Sequence, residues 1–362
     1  MSTSQRTVLA PNLKNSQTKR LILLGGGHVH VQVLKHLIKN PLPNIETVLI
    51  SEEPEQLYSG MLPGLMGGFY IAEQCQFDLP EICARAGVRF LRATANGLDL
   101  VDKTVATNCG PQPYDLLSIN VGSRPALEVD DPRVTPLKPL HFFYDRWLKI
   151  LNEPNSRVAI LGGGAAGVEV ALMAAARLNV GSKRVTLYEK SNALMRNLPP
   201  RAAQIARDRA QEVGLKIVTE FVEPISKLSE ENIFLALPPQ APVWFRSTLL
   251  KLSPAGFVAV DKNLRALGHE NIFAAGDCIE FTPSPHAHAG VYAVRHAPIL
   301  IQNILRVLAG DQILCDFHPQ SDFLHLLTLG GRKALLVRRP FVFASNLNWR
   351  FKDFIDRKYM QT

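Results

Sequence analysis

Apolar and polar positions along the chain fall into two matching units. In the first, Leu21, Ile22, Leu23 and Leu24 make a continuous apolar run, as in a strand buried on both faces. Three glycines follow, Gly25, Gly26 and Gly27, and then Val31, Leu34 and Ile38 recur at helical spacing. In the second, Arg157 to Leu161 predicts the strand, Gly162, Gly164 and Gly167 the turn, and Val168, Ala171, Leu172 and Ala175 the apolar stripe of the helix. Each unit then predicts a further strand, Glu46 to Ile50 in one and Arg184 to Tyr188 in the other.

Between and after these units the pattern is less regular. Leu57 to Gly68 is rich in turn residues and predicts a loop. Arg89 to Val121 predicts a short β meander ending in a buried strand, followed by Gly122, Ser123, Arg124 and Pro125. Glu128 to Pro139 carries three prolines among charges and predicts a linker, and a helix is expected near His141 to Leu151. Later elements are a helix at Arg201 to Val213, strands at Leu215 to Val218, Phe257 to Val260 and Ile272 to Ala275, and one long helix from Ala289 to Leu308 with Pro298 inside it. Phe323 to Val337 predicts two strands around Gly330 and Gly331, and Trp349 to Met360 a short basic helix.

A strand, glycine turn and helix is the arrangement that binds a dinucleotide. Glycines let the backbone approach the diphosphate, and the helix start offers unpaired N–H groups and a positive dipole end. The first turn departs from G-x-G-x-x-G, with His30 at the third glycine position; the second is complete. Two turns imply two dinucleotides. Glu189, 25 positions beyond Gly164, stands where a carboxylate binds the ribose 2′-OH, which favours NADH, although the adjacent Lys190 would accommodate NADPH. In the first unit Ser51 takes that position, with Glu52 beside it.

With 362 residues, the chain has room for two domains and a small third. A formal net charge of +8 raises nucleic acid as a partner, but the basic residues are scattered until the C-terminus, and two anionic dinucleotides account for the excess. Five cysteines without a C-x-x-C pair point to a reducing compartment and free thiols. No apolar run is long enough to span a bilayer, and residues 1–20 lack the apolar core of a secretion signal, so they are expected to be a disordered tail. The expected location is cytoplasmic, with peripheral membrane contact as an option. That option rests on Trp349, Phe351, Phe354 and Ile355 being interspersed with Arg350, Lys352, Arg357 and Lys358; an ordinary helix packed on the first dinucleotide unit, or on a second subunit as in a homodimer, is the competing use.

The paired glycine turns, the run Val121-Gly122-Ser123-Arg124-Pro125 and the late Ala275-Gly276-Asp277 together resemble the FAD-dependent pyridine nucleotide (disulfide) oxidoreductases, over roughly Leu21 to Met360. Within that superfamily the chain looks most like type II NADH dehydrogenases and sulfide:quinone reductases. It is similar above all to the group associated with selenide, water dikinase, through Gly25-Gly26-Gly27-His28-x-His30, Ser59-Gly60-Met61-Leu62-Pro63-Gly64, Gly290 to Arg295 and Lys352-Asp353-x-Ile355-Asp356-Arg357.

The resemblance implies an α/β fold of two Rossmann-like dinucleotide-binding domains, for FAD and NAD(P)H, with three-layer ββα character and a small C-terminal α+β segment. The expected boundaries are 21–155 and 261–317 for the FAD domain, 156–260 for the NAD(P)H domain and 318–362 for the C-terminal segment. By resemblance, FAD is held by Gly25, Gly27, Ser51, Gly122, Asp277 and the helix start at Ala289. Gly162, Gly164, Gly167 and Glu189 hold NADH. Glu169 is the expected catalytic residue, orienting the nicotinamide or relaying a proton, with the first turn of its helix as an ordinary alternative setting.

Lone thiols cannot form the internal disulfide of a thiol relay, so electrons are expected to leave the flavin for a diffusible acceptor such as a quinone. Two alternatives stand beside this reading. One is a sulfur or selenium redox enzyme, with a link to selenium metabolism. The other is a redox-sensing flavin–NAD binding protein, suggested by Leu237-Pro238-Pro239 where the family carries an Ala-Thr-Gly-like turn. His286 and His288 form only an i, i+2 pair, so no metal is expected.

Overall fold

The computed structural model describes residues 18–125, 129–178, 184–286, 288 and 290–361. In chain order, β1 (Lys19–Leu24), α1 (His28–Lys39) and β2 (Ile45–Ser51) are followed by β3 (Arg89–Arg92) and β4 (Leu116–Ile119). Next come β5 (Val134–Pro136), α2 (Leu140–Leu151), β6 (Val158–Leu161), α3 (Ala165–Leu178), β7 (Val185–Tyr188), β8 (Lys216–Val218) and β9 (Asn232–Leu235). The chain closes with β10 (Ile272–Ala274), α4 (Gly290–Ala309), β11 (His325–Thr328), β12 (Ala334–Arg338), β13 (Phe341–Ser345) and α5 (Asn346–Gln361).

Two five-stranded parallel sheets organise these elements. The first has the order β10-β4-β1-β2-β3 and the second β5-β9-β6-β7-β8, so the same order is built twice. The correspondence extends to single bonds. Leu24 lies opposite Ile50 and Ile119, and Leu161 opposite Tyr188 and Leu235. Gly25 N–H donates to Ile50 O at 2.7 Å, and Gly162 N–H to Tyr188 O at 2.8 Å. Strands buried on both faces need helices on both sides, which is why Leu21–Leu24 of β1 and Val158–Leu161 of β6 are apolar throughout.

Each sheet has its own core. Leu21 to Leu24, Val31 and Leu34 are sealed in one, and Val158, Ile160, Phe143 and Trp147 in the other. At about 25 cal/mol per Å² of apolar surface, burial of one such Leu, Ile or Phe side chain contributes roughly 2 kcal/mol. The second core also takes in Leu335, Val337 and Val342, so the C-terminal sheet β11-β12-β13 packs on the second unit. Because β10 lies beyond β9 in the chain yet joins the first sheet, the first unit is discontinuous.

The α/β architecture agrees with the expectation from sequence, while several local elements differ. Arg89–Arg92 is an edge of the parallel sheet; the antiparallel meander is confined to Ala95–Asp99, Thr104–Thr107 and Gln112–Pro113. Residues 57–68 are not simply a loop. Glu55–Leu57 pairs with Gln76–Asp78, and Leu62–Met66 is a buried helical turn, since Pro63 sits at its start, where a missing N–H costs nothing. The proline-rich stretch before α2 contains the edge strand β5. A third C-terminal strand, β13, follows Arg338-Arg339-Pro340, and Pro298 lies within an otherwise continuous α4.

Helix α5 is turned with its polar side inward. Asn348 and Asp356 are buried, and Lys352 Nζ meets Asp356 Oδ2 at 2.7 Å. Tyr58 and Tyr70 donate to Asp356 and Asp353 at 3.2 and 2.5 Å. Leu347, Phe351, Phe354 and Ile355 point to solvent, Leu347 being 72% and Phe354 63% exposed.

Candidate active site

The first glycine turn and the ends of β2 and β4 open onto a cleft of about 590 Å³, within the range of small-molecule pockets. Gly25 has φ +95°, a conformation that favours glycine, and a Cβ there would lie 2.5 Å from the carbonyl oxygen of Asn120. A Cβ on Gly27 would overlap the side chain of Asn120. The turn is therefore pressed against the end of the neighbouring strand. Asn120 makes this fit work: its Oδ1 accepts from the N–H of Val29 at 3.2 Å and of His30 at 3.4 Å, and its Nδ2 donates to Ala275 O at 2.7 Å. It thus caps α1 from another strand, where the N-cap residue Gly27 has no side chain to do so.

His30, in the third glycine position, is fully buried. Its Nδ1 is 2.7 Å from Gly25 O and its Nε2 2.8 Å from Ser118 Oγ. A carbonyl only accepts, so Nδ1 carries the proton, and Nε2 of the neutral ring accepts from the Ser118 hydroxyl. Burial pushes this imidazole down to about 4. Where the second turn uses a small residue for close approach, the first uses a ring that bonds to the turn itself.

Asp277 follows β10 and lines the same cleft. Its Oδ2 is paired with Lys138 Nζ at 2.5 Å. Burial opposes its charge, but Lys138 outweighs this and holds the carboxyl below its ordinary range. His28, the first residue of α1, also lines the cleft; burial first, and Lys138 second, push its imidazole down to about 4. Its Nε2 is buried without a hydrogen-bond partner among the described residues. The residues present fit a dinucleotide here: a glycine turn, a helix start, an unpartnered imidazole nitrogen and a cation on the cleft wall.

Other residues expected at this end take varied positions. Gly122 lies on the cleft with φ +70°, and a Cβ there would meet nothing within 4 Å, so the space beside it is open. Ser51 lines the cleft while donating from Oγ to Glu53 O at 2.9 Å. Ala289 lies outside the described residues. His286 stacks on Tyr292 at 3.8 Å and His288 on Phe257 at 4.0 Å.

At the second turn, a Cβ on Gly167 would overlap the carbonyl oxygen of Gly162, the close helix-to-strand approach that a third glycine serves. Gly162 has φ +116° and abuts Ala236 as Gly25 abuts Asn120. Gly164 is exposed, with nothing within 4 Å of a Cβ. Glu189 reaches back to the turn: Oε2 accepts from Gly163 N–H at 2.6 Å, and Oε1 from Ser191 N–H and Oγ at 2.7 and 2.6 Å. Burial acts against its charge, yet the Ser191 and Gly163 bonds together hold the carboxyl below its ordinary range. An ionised acceptor is what ribose hydroxyls require.

Glu169 sits in the second turn of α3, not the first, which corrects the helix-start setting expected for it. Its Oε1 accepts from Thr328 N–H at 2.6 Å, tying α3 to β11. Burial raises its pKa, with Lys352 and the Thr328 bond acting the other way. Leu237-Pro238-Pro239 leads into Pro239–Gln240, which pairs with Arg124–Pro125; the departure from the family turn is a strap between the two units.

Sequence reasoning missed Asn120 and Lys138. Asn120 ends an apolar strand, and its polarity at a buried strand end was the available signal. Lys138 had none, being one lysine in a proline-rich stretch. The thiols of Cys75, Cys83 and Cys278 are buried, and burial pushes each up to about 12.

Two parallel sheets, each with a glycine turn and helix beyond a central strand, are the architecture of a two-dinucleotide oxidoreductase. The pattern that describes the pyridine nucleotide-disulphide oxidoreductases matches residues 19–230, more than half of the chain, and the chain belongs to that family. It is 25% identical over 361 residues to the NADH dehydrogenase-like protein YutJ of Bacillus subtilis (strain 168), covering 92% of this chain and 99% of that one. It is 23% identical to the demethylphylloquinone reductase NdbB of Synechocystis sp., over 81% of this chain and 83% of that one. Among solved structures, the sulfide:quinone oxidoreductase from Aquifex aeolicus superposes with a TM-score of 0.77 at 18% identity, covering 95% of this chain and 91% of that one. NDH2 from Plasmodium falciparum in complex with NADH gives 0.76 at 14% identity, over 95% and 98%. At such identities the likeness is one of fold.

Proposed function

We propose that the chain binds FAD in the cleft at Gly25–Gly27 and NADH at the Gly162–Gly167 turn, and passes electrons from NADH to a quinone. The observation that carries this reading is the doubled turn, in which each glycine run is pressed against the end of the corresponding neighbour strand of its own sheet, with Glu189 bonded back to the second turn. The FAD unit comprises 21–125 and 243–317 and the NADH unit 134–235, because β5 and α2 sit in the second sheet and core while Phe245, Leu250, Val258 and Val260 pack in the first, which moves the boundaries expected at 155 and 260; 318–362 forms a C-terminal segment. Bound in the cleft, a flavin supplies acceptance of two electrons from a nicotinamide and their release to a second acceptor. The protein's part is to hold and exclude. Gly25, Gly27 and Gly122 admit the cofactor backbone, Asp277 and Ser51 offer oxygens to its hydroxyls, and Glu189 accepts from the nicotinamide cofactor's ribose. Glu169, its pKa raised by burial, is the group suited to hold a proton near the second turn.

The names of the relatives support a quinone as acceptor: NdbB is a demethylphylloquinone reductase, and the Aquifex protein a sulfide:quinone oxidoreductase. The outward apolar face of α5, with Arg350 and Lys358 exposed nearby, supports peripheral contact of a cytoplasmic protein with a membrane surface where quinones reside. Among the described residues no helix is long and apolar enough to cross a membrane.

The test is anaerobic stopped-flow mixing of the purified protein with NADH or NADPH, followed by a quinone, polysulfide or a selenium compound. The expected result is bleaching of flavin absorbance by NADH in preference to NADPH, and reoxidation by quinone. Rapid bleaching without turnover by any acceptor would replace this reading with a redox-sensing one. Turnover with polysulfide or selenium that vanishes when all five cysteines become serine would replace it with the sulfur or selenium class, against which the burial of Cys75, Cys83 and Cys278, whose thiols it pushes up, argues.

A further inference from the structure

His296 is a fully buried ring that the cleft chemistry above does not use. It lies on α4, one helical turn beyond Ala293, and both Gly290 and Ala293 of that helix line the cleft. Its Nδ1 is 3.1 Å from the backbone N of Gly276, the residue before Asp277. A backbone N–H only donates, so Nδ1 accepts and the neutral ring carries its proton on Nε2. Burial first, and His286 second, push this imidazole down to about 3, which keeps it neutral and keeps Nδ1 an acceptor near neutral pH.

The arrangement is costly for the ring itself. Nε2 is buried without a hydrogen-bond partner among the described residues, and the ring stands edge-on to Phe317 with centroids 4.5 Å apart. An apolar side chain in these surroundings would avoid the orphaned donor. What the imidazole supplies is one fixed acceptor for the turn at Gly276, and that turn needs one. Gly276 has φ +77°, and a Cβ there would overlap the side-chain amide of Asn120, so the chain follows a path that only glycine fits. Just before it, Ala275 O accepts from Asn120 Nδ2 at 2.7 Å; just after it, Asp277 lines the cleft. Asn120 thus holds this turn to β4, and His296 holds it to α4.

We propose that His296 is a positioning residue for the dinucleotide of the first unit: by accepting the Gly276 N–H it fixes the turn that presents Asp277 to the cofactor hydroxyls and sets α4 in register with that turn. This deepens the FAD reading above and rests on it. One consequence is that two parts of the cleft wall, Asp277 and the start of α4, cannot shift independently of each other.

The test uses the full-length protein stripped of flavin, with FAD binding followed by quenching of flavin fluorescence and folding by thermal melting. In His296→Leu, which orphans the Gly276 N–H, the FAD dissociation constant rises about tenfold, as a displaced binding group entails. His296→Gln, whose amide oxygen can accept the same N–H, returns it to within about threefold of wild type. In an Asp277→Ala background, adding His296→Leu changes the constant by less than about threefold, because the residue acts through that carboxylate. A lower melting temperature with FAD binding within threefold of wild type marks a purely structural role and overturns the proposal. So does a loss of equal size in both backgrounds. Wild-type protein with isotope-labelled histidine gives a test that does not depend on His296→Leu folding: the ring-nitrogen NMR signals of His296, assigned with His296→Gln, show the Nε2–H form, and its Nδ1 signal moves when FAD is added. An Nδ1–H form, or an Nδ1 signal indifferent to bound FAD, overturns the proposal. Wild-type protein that never takes up FAD overturns the underlying reading, while the tautomer still judges the bond, which sets the two failures apart.

Discussion

The imidazole of His30 closes on the carbonyl of Gly25 at 2.7 Å and receives the hydroxyl of Ser118 at 2.8 Å on its other nitrogen. A buried ring thereby joins β4 to the glycine turn, and the neutral tautomer is the one that satisfies both partners. The unfolded chain takes a proton on this histidine near 6.5, while the fold resists it until about 4. A depressed folded pKa contributes stability above the unfolded value that is lost as pH falls through the folded one. Stability should therefore drop between pH 6.5 and 4, by roughly 3 kcal/mol for each imidazole so placed, and His28 adds a second. Urea midpoints at pH 7.5, 6 and 5 measure this. In His30→Gln the fall should be shallower, and equal slopes would refute the assignment.

Gly167→Ala places a methyl group against the carbonyl of Gly162 and forces α3 away from β6. The expected outcome is a protein with its flavin spectrum intact whose reduction by NADH is slowed at least about tenfold, as a misplaced binding turn of order 1 Å entails. Gly87→Ala, away from the cleft, meets no neighbour but is strained at φ +66°, so it should cost about 1 kcal/mol of stability and leave NADH reduction nearly unchanged. Stopped-flow bleaching of both variants decides the matter.

Glu169 has its pKa raised by burial, so the stability it contributes is full below its unfolded pKa and is lost as pH rises through the folded value. Glu169→Gln keeps an acceptor for Thr328 N–H and removes the buried charge. Its thermal midpoint should lie above wild type at pH 7.5 and match it at pH 4. Glu169→Ala, which orphans that N–H, should fall below wild type by about 1–3 kcal/mol at both. If turnover with quinone in Glu169→Gln matches wild type, the residue is an anchor for β11 and not a proton carrier.

Phe351 and Phe354 are exposed on the outer face of α5, while Lys352 and Asp356 fix its inner face. Replacing both phenylalanines by serine should leave the melting temperature within about 2 °C, as surface changes do, and reduce flotation with anionic vesicles severalfold. Unaltered flotation together with a change from dimer to monomer in light scattering would assign the face to a second copy of the chain instead.

The two glycine turns were legible in sequence because a tight turn is a local device, written in adjacent residues. The residues that complete the first turn were not. Asn120 meets Gly27 only because β4 lies beside β1, a fact of sheet order. Lys138 meets Asp277 only through the packing of two units. Glycine and proline suggested a loop at 57–68, yet burial of Leu62, Leu65 and Met66 imposes a helical turn. The periodicity of α5 was evident, and its orientation was only half foreseen. Phe351, Phe354 and Ile355 do face outward, but Trp349 packs on Phe69, and the two tyrosines that bind the inner face, Tyr58 and Tyr70, come from a distant segment.

The position of β10 in the chain sets an order of synthesis. All five strands of the second sheet have left the ribosome once Leu235 emerges, whereas the first sheet lacks its strand beside β4 until Ile272 to Ala274 emerge. The second sheet can thus pair all its strands while the first still waits, so a ribosome stalled between these points carries a complete second sheet and an open-edged first one.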